Sequence, residues 1–236
     1  NSGLQTITEK NGKFSVSFLK TGKDNDVYLT LYQNKKGLLY LSRAFKGFFT
    51  GIADGDTVVN QKDHPSKSSI KCFSFENDST LWIGSTVGLI KFNEKTQRAD
   101  KHYTSANGLI NQYIYSAIPV KPDIWMSTNA GLTRFNEEKG IFKNYKTADG
   151  LQSNEFNTYA YASSRSGELF FGGVNGINSF YPGQLSKPGH ASFLQLTSFM
   201  VNDSVYHTGF NPGELASLDL PFSQNKISFK FNLPDC

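Results

Sequence analysis

Four histidines, two cysteines and a few paired acids are the side chains through which this 236-residue sequence could do chemistry. His64, His102, His190 and His207 are scattered, and no two stand at the short spacing that metal ligands on one element require. No metal and no cofactor are therefore expected. Cys72 lies in the apolar run Ile70-Lys71-Cys72-Phe73-Ser74-Phe75 and reads as a core thiol, and Cys236 is too remote in sequence to form a redox motif with it. No Gly-x-Ser-x-Gly elbow is present. Gly172-Gly173-Val174-Asn175-Gly176 is glycine-rich but precedes a strand-like run, so it offers no helix N-terminus to a phosphate and reads as a hairpin. Glu137-Glu138, and Asp54 with Asp56, fall in predicted turns and are expected to face water. No catalytic residue is expected. What remains is recognition, for which Arg43, Phe45, Tyr113, Glu155 and Tyr159 are the candidates. Each also has a plain packing role open to it.

Composition narrows the classes. Net charge is +4 with no basic tract, so Lys and Arg read as a mixed solvated surface and no nucleic acid is expected as a partner. No apolar run is long enough to cross a membrane as a helix. No signal peptide is read, and Asn1 falls inside a motif, so the expectation is a piece of a longer chain. With 20 Phe, 11 Tyr and 21 Gly, the chain favours strands and tight turns.

The elements that must position the candidates are given by a repeat. Leu81-Trp82-Ile83-Gly84, three residues, and Gly88-Leu89-Ile90-Lys91-Phe92-Asn93 return as Ile124-Trp125-Met126-Ser127 and Gly131-Leu132-Thr133-Arg134-Phe135-Asn136. They return again from Leu169 to Phe180, and in degenerate form from Leu39 to Phe49. Gly3, Gly47, Gly88, Gly131 and Gly176 are spaced 44, 41, 43 and 45 residues apart. Tyr40, Trp82, Trp125 and Phe170 keep nearly the same period, as do Asn107-Gly108-Leu109 and Asp149-Gly150-Leu151. Each repeat holds four strand-length runs, in one case Tyr113–Ile118, Ile124–Met126, Leu132–Phe135 and Ile141–Tyr145, and no window keeps a helical period.

Four short strands per repeat of about 43 residues is the pattern of a β-propeller blade. The fold class is all-β. Blades are expected at 24–60, 68–104, 112–146 and 154–182, the last without its outer strand, after a half blade at 1–18. The repeated glycines are expected at the turn between second and third strands, and Trp82 and Trp125 between blades. A site must break the repeat symmetry, as the five non-repeating candidates do; Tyr113 and Tyr159 fall near first strands, which line a propeller's channel. After residue 182 the pattern changes. A linker is expected over 183–190 and the opening strands of a second β-domain over 191–236, including Phe193–Val201 and an alternating, half-buried strand over Ile227–Phe231.

The motif Leu/Ile-Trp-Ile-Gly-x-x-x-Gly-Leu-x-x-Phe-Asn with Tyr-x-x-x-(Asn/Asp)-Gly-Leu resembles the two-component regulator propeller repeat. Leu81–Asn93 with Tyr103–Leu109, and Ile124–Asn136 with Tyr145–Leu151, carry it. The blade at 24–60 and Phe170 in place of Trp depart from it. Leu218-Asp219-Leu220-Pro221 before Gln224–Phe229 resembles the start of the Ig-like YYY domain that follows such propellers. Asn77–Trp82 is similar to the Asp-box hairpin of sialidase propellers, a turn device without chemistry. The resemblance implies the periplasmic sensor region of a hybrid two-component histidine kinase, with an oligosaccharide as ligand and control of polysaccharide-utilisation genes as output. It implies a membrane link only through a transmembrane helix outside this sequence, and a homodimer. A propeller glycan lyase or hydrolase, and a protein-interaction scaffold, remain as alternative readings.

Overall fold

The computed structural model describes residues 4–23, 26–184, 195–205 and 219–232. The chain divides into two compact units, Asn1–Pro182 and Gly183–Cys236. The described part of the first contains strands, turns and two single turns of 3-10 helix.

Five antiparallel sheets follow one another along the first unit. The first is the hairpin β1 (Leu4–Lys10) and β2 (Lys13–Leu19). The second is β3 (Tyr28–Gln33), β4 (Leu38–Arg43), β5 (Gly47–Asp54) and β6 (Thr57–His64). The third is β7 (Ile70–Asn77), β8 (Thr80–Ser85), β9 (Gly88–Asn93) and β10 (Arg98–Tyr103). The fourth is β11 (Ile114–Val120), β12 (Asp123–Thr128), β13 (Gly131–Asn136) and β14 (Ile141–Tyr145). The fifth has three strands, β15 (Phe156–Ser163), β16 (Leu169–Gly173) and β17 (Gly176–Phe180). Strand order within each sheet is sequential. The second sheet, degenerate in sequence, is a complete blade; it runs past residue 60 to His64 because an irregularity between Thr50 and Ile52 takes up extra chain.

Each blade is apolar on both faces, so its core forms only against a neighbour. Tyr40, Phe48, Phe73, Leu81, Ile83 and Phe92 fill the space between the second and third sheets. Cys72, Trp82, Leu89, Ile114, Met126 and Phe135 fill the space between the third and fourth. Trp82 and Trp125 are fully buried, whereas Phe170 at the repeat-equivalent position is half-buried. Burial pushes the Cys72 thiol up to about 12, as expected of an unreactive core cysteine.

The repeated glycines stand at the turn between second and third strands, with Gly88 at φ 128° and Gly131 at φ 105°; Gly3 lies outside the described residues. A Cβ on Gly131 would come within 2.0 Å of the Tyr145 carbonyl oxygen, and one on Gly176 would meet nothing within 4 Å. Gly131→Ala is expected to cost more than the ~1–3 kcal/mol of backbone strain that Gly176→Ala also carries, because the neighbouring strand must move. Urea unfolding of the two variants checks this; equal losses would show that the close approach is irrelevant.

Two polar groups depart from expectation. Glu137 does not face water: it accepts hydrogen bonds from Lys91 Nζ at 2.7 and 2.8 Å and from Tyr103 Oη at 3.0 Å, across from the fourth sheet to the third. His64 is no surface histidine, being stacked on Phe48 with ring centroids 4.5 Å apart and edge-on to Phe92. His102 is exposed, and His190, His207 and Cys236 lie outside the described residues.

In the second unit β18 (Gln195–Val201) is central, between β19 (Ser204–Val205) and β20 (Ile227–Asn232). Residues 185–194, which hold most of the expected linker and the start of the expected strand, lie outside the described residues. Phe199 and Val201 are buried, but Ile227 and Phe229 are 46% and 56% exposed, so β20 is not half-buried as its alternation implied. Three strands form a single layer within the described residues of this unit.

Candidate ligand-binding site

The innermost strands β3, β7, β11 and β15 lie side by side in that order, and β15 also approaches β7, so the row curves. Tyr32, Phe73, Phe75, Ile118 and Tyr161 from these strands line a cavity of about 390 Å³ inside the curve. The loops entering the innermost strands and the turns between second and third strands share one end of each sheet, as the register requires.

At that end every innermost strand breaks its ladder. The register shifts between Tyr28 and Leu31, between Ile70 and Cys72, between Ile114 and Ser116, and between Phe156 and Tyr161. A bulge leaves its extra residue unpaired and re-aims the side chain. The residues so released are Lys71 in the third sheet, Tyr115 in the fourth and, in the longer irregularity of the fifth, Tyr159. Tyr159 sits at φ 65° and is 54% exposed.

These residues gather polar groups from neighbouring blades. The Tyr113 and Tyr115 rings meet edge to face at 5.1 Å. Lys71 Nζ stands 5.3 Å over the Tyr113 ring, a cation–π contact between the third and fourth sheets. Tyr115 Oη donates to Asn129 Oδ1, in the turn between β12 and β13. Burial first, then Tyr113 and the nearby Glu155 carboxylate, raise the Tyr115 phenol, while the Asn129 bond works against them. Glu155 itself is exposed, at the loop entering β15. One ammonium, two phenols and an amide thus meet at half-buried rings, which is hydrogen-bonding equipment for a hydroxyl-rich ligand.

Tyr113 therefore meets Tyr115, Glu155 lies at the loop entering the next innermost strand, and Tyr159 occupies the matching bulge of that blade. Phe45 is at the same end of its own blade, 74% exposed at φ 54°, its backbone N–H on Ser69 Oγ at 3.2 Å. Arg43 is not open to a ligand. It is buried, with Nη1 3.2 Å from Asp26 and Nη2 2.6 Å from Asp63, and it stacks over Phe49. Sequence reasoning passed over Lys71, Tyr115 and Asn129. The signal was present for the first two, since both stand at the same place in an innermost strand, but a bulge is invisible in a hydrophobic pattern.

No family model matches the chain. Over 120 residues, 48% of the chain, it is 28% identical to histidine kinase P4 of Formosa agariphila and spans 9% of that protein's length. Two solved structures of the extracellular domain of BT4673 from B. thetaiotaomicron, described as a one-component and as a hybrid two-component system, superpose with TM-scores of 0.56 and 0.55. They are 18% and 16% identical, over 77% and 84% of this chain and 25% of theirs. The WD40 propeller of Doa1 superposes with a TM-score of 0.55 at 15% identity, over 75% of this chain and 57% of its own. At these identities the structural likeness establishes the fold, a run of propeller blades.

Proposed function

We propose that this chain is part of the extracytoplasmic sensor region of a hybrid two-component system, and that its blades bind an oligosaccharide at the bulged ends of their innermost strands. The carrying observation is the assembly of Lys71, Tyr113, Tyr115 and Asn129 from two blades. The likeness to a histidine kinase and to extracellular domains of signalling systems supports the sensor reading. The second unit is read as the opening of the Ig-like domain that relays the signal. The segment performs no catalytic step. A ligand acts by binding one arrangement of the sensor more tightly than another, which biases a kinase across the membrane in a homodimeric whole.

Thermal shift of the chain against a panel of plant, host and microbial oligosaccharides tests this. At 100 times Kd a binder stabilises the native state by about 2.7 kcal/mol. Tyr113→Ala is expected to weaken the binding oligosaccharide about tenfold, a loss of ~1.4 kcal/mol, with little change in the ligand-free melting temperature. Silence across the panel would sink the glycan reading, and a ligand that shortens on incubation would move the segment to the enzymes.

A further inference from the structure

Three lysines among the described residues are half-buried: Lys23, Lys71 and Lys91. Each lays its ammonium over an aromatic ring, at 5.3 Å from Phe49, 5.3 Å from Tyr113 and 5.5 Å from Trp82 respectively. A ring face attracts a cation but cancels none of its charge. An ammonium that gives up part of its water is ordinarily compensated by a carboxylate as well. Lys23 has Asp63 at 3.1 Å, and Lys91 has Glu137 at 2.7 Å. Lys71 has no carboxylate within ion-pair distance among the described residues. It is also the residue that the break between Ile70 and Cys72 releases from the ladder, at the end of the blades where the candidate site lies.

The groups around Lys71 are biased toward donors. The Asn129 carbonyl already accepts from Tyr115 Oη, so what that side chain presents to a ligand is its N–H pair. Carboxylates at this end of the blades are engaged. Asp26 holds Arg43 and Lys46, Asp63 holds Arg43 and Lys23, and Asp149 accepts from the Lys146 backbone N–H at 2.8 Å. Lys67, exposed on the loop entering β7, adds a second cation. Glu155 on the loop entering β15 acts the other way, but it is exposed and so screened by solvent.

We propose that the oligosaccharide these blades bind is an acidic one, and that Lys71 selects it by pairing with a carboxylate or sulfate group on the sugar. The proposal rests on the oligosaccharide reading above and narrows it to a substrate class. The two acid groups share one chemistry, a negative charge spread over several acceptor oxygens. Either supplies the counter-charge that Asp63 supplies to Lys23 and Glu137 to Lys91. The Asn129 N–H groups add hydrogen bonds, and the Tyr113 ring holds the ammonium in place.

A thermal-shift panel tests this, with each uronic-acid oligosaccharide run beside its methyl ester and each sulfated one beside its desulfated form. A hit is expected among the acidic members. Neutralising its charge should weaken it at least about tenfold, the usual worth of one charge-assisted hydrogen bond. The series that gives the hit, uronate or sulfate, names the group. Lys71→Met, which keeps a stem over Tyr113, should remove the difference between acidic and neutral forms, and Lys71→Arg should retain it. An undiminished preference in Lys71→Met would overturn the proposal. So would a hit that depends on Tyr113 but binds equally in acidic and neutral form, and that result would leave the oligosaccharide reading standing. Silence across the whole panel would sink both.

Discussion

Asp26→Asn is expected to destabilise the chain by about 3 kcal/mol, the low end of what removing one partner from a buried ion pair costs. Asp26 is 7% exposed and holds both Arg43 and Lys46. Asparagine keeps the shape but removes the charge that compensates a buried guanidinium. The low end applies because Asp63 stays 2.6 Å from Arg43. The acid limb of the stability curve gives a second readout. Burial works to raise the Asp26 pKa, but hydrogen bonds from Lys46 and Arg43 outweigh it and hold the carboxyl below its ordinary value. A carboxyl whose folded pKa lies below the unfolded value of ~3.9 contributes its full stability above about pH 4 and loses it as pH falls through the folded value. The wild-type chain should therefore lose stability below about pH 4, and Asp26→Asn should lose less over that range. Urea unfolding at pH 7 and pH 3 measures both. A loss under ~1 kcal/mol at pH 7, the worth of a surface pair, would show that the network is hydrated.

Trp82→Ala is expected to cost about 4 kcal/mol, within the range for a buried aromatic cut to a methyl group. That corresponds to a fall in melting temperature of roughly 10 °C in a chain of this length. Trp82 is fully buried, packs on Tyr103 and Phe135 of two blades, and donates from Nε1 to Glu76 at 2.9 Å. The milder change to Phe separates packing from hydrogen bonding. Trp125 occupies the same repeat position, but Glu76 stands in a register break of β7 that has no counterpart in β11, and the Trp125 Nε1 is buried without a partner. Trp82→Phe leaves Glu76 Oε2 without its donor, Lys121 remaining 3.0 Å from Oε1, whereas Trp125→Phe removes an orphaned donor. The Trp82 variant should therefore lose more, by on the order of 1 kcal/mol. Equal losses in scanning calorimetry would show that the Glu76 bond contributes nothing.

Much of this architecture was legible in the residues alone because a propeller writes its period into the chain. Every blade must bury the same two faces against like neighbours, so glycine and aromatic return at the same places. The run Ile141–Tyr145 is β14 to the residue. Glycine positions foretold the left-handed turns, since other residues rarely adopt that backbone. The deviation in the blade around Tyr40 weakened the motif but not the sheet, because a sheet needs alternating apolar positions rather than particular ones.

The candidate site was half legible. Tyr113, Glu155 and Tyr159 stood out for breaking the repeat, and they fall at or beside innermost-strand bulges. Arg43 broke it too, yet its partners Asp26 and Asp63 lie 17 and 20 residues away in sequence, so only folding could show that it is spoken for. Lys71 and Tyr115 look like ordinary strand residues until the ladder slips and points them elsewhere. The period, the strand content and the aromatic inter-blade core were determined by the sequence by itself, because they depend on side-chain type at fixed spacing. Which charges are paired and which side chains meet at the bulged ends of the innermost strands were decided by the tertiary structure. Those depend on contacts between blades, and no local pattern records what a neighbouring blade presents.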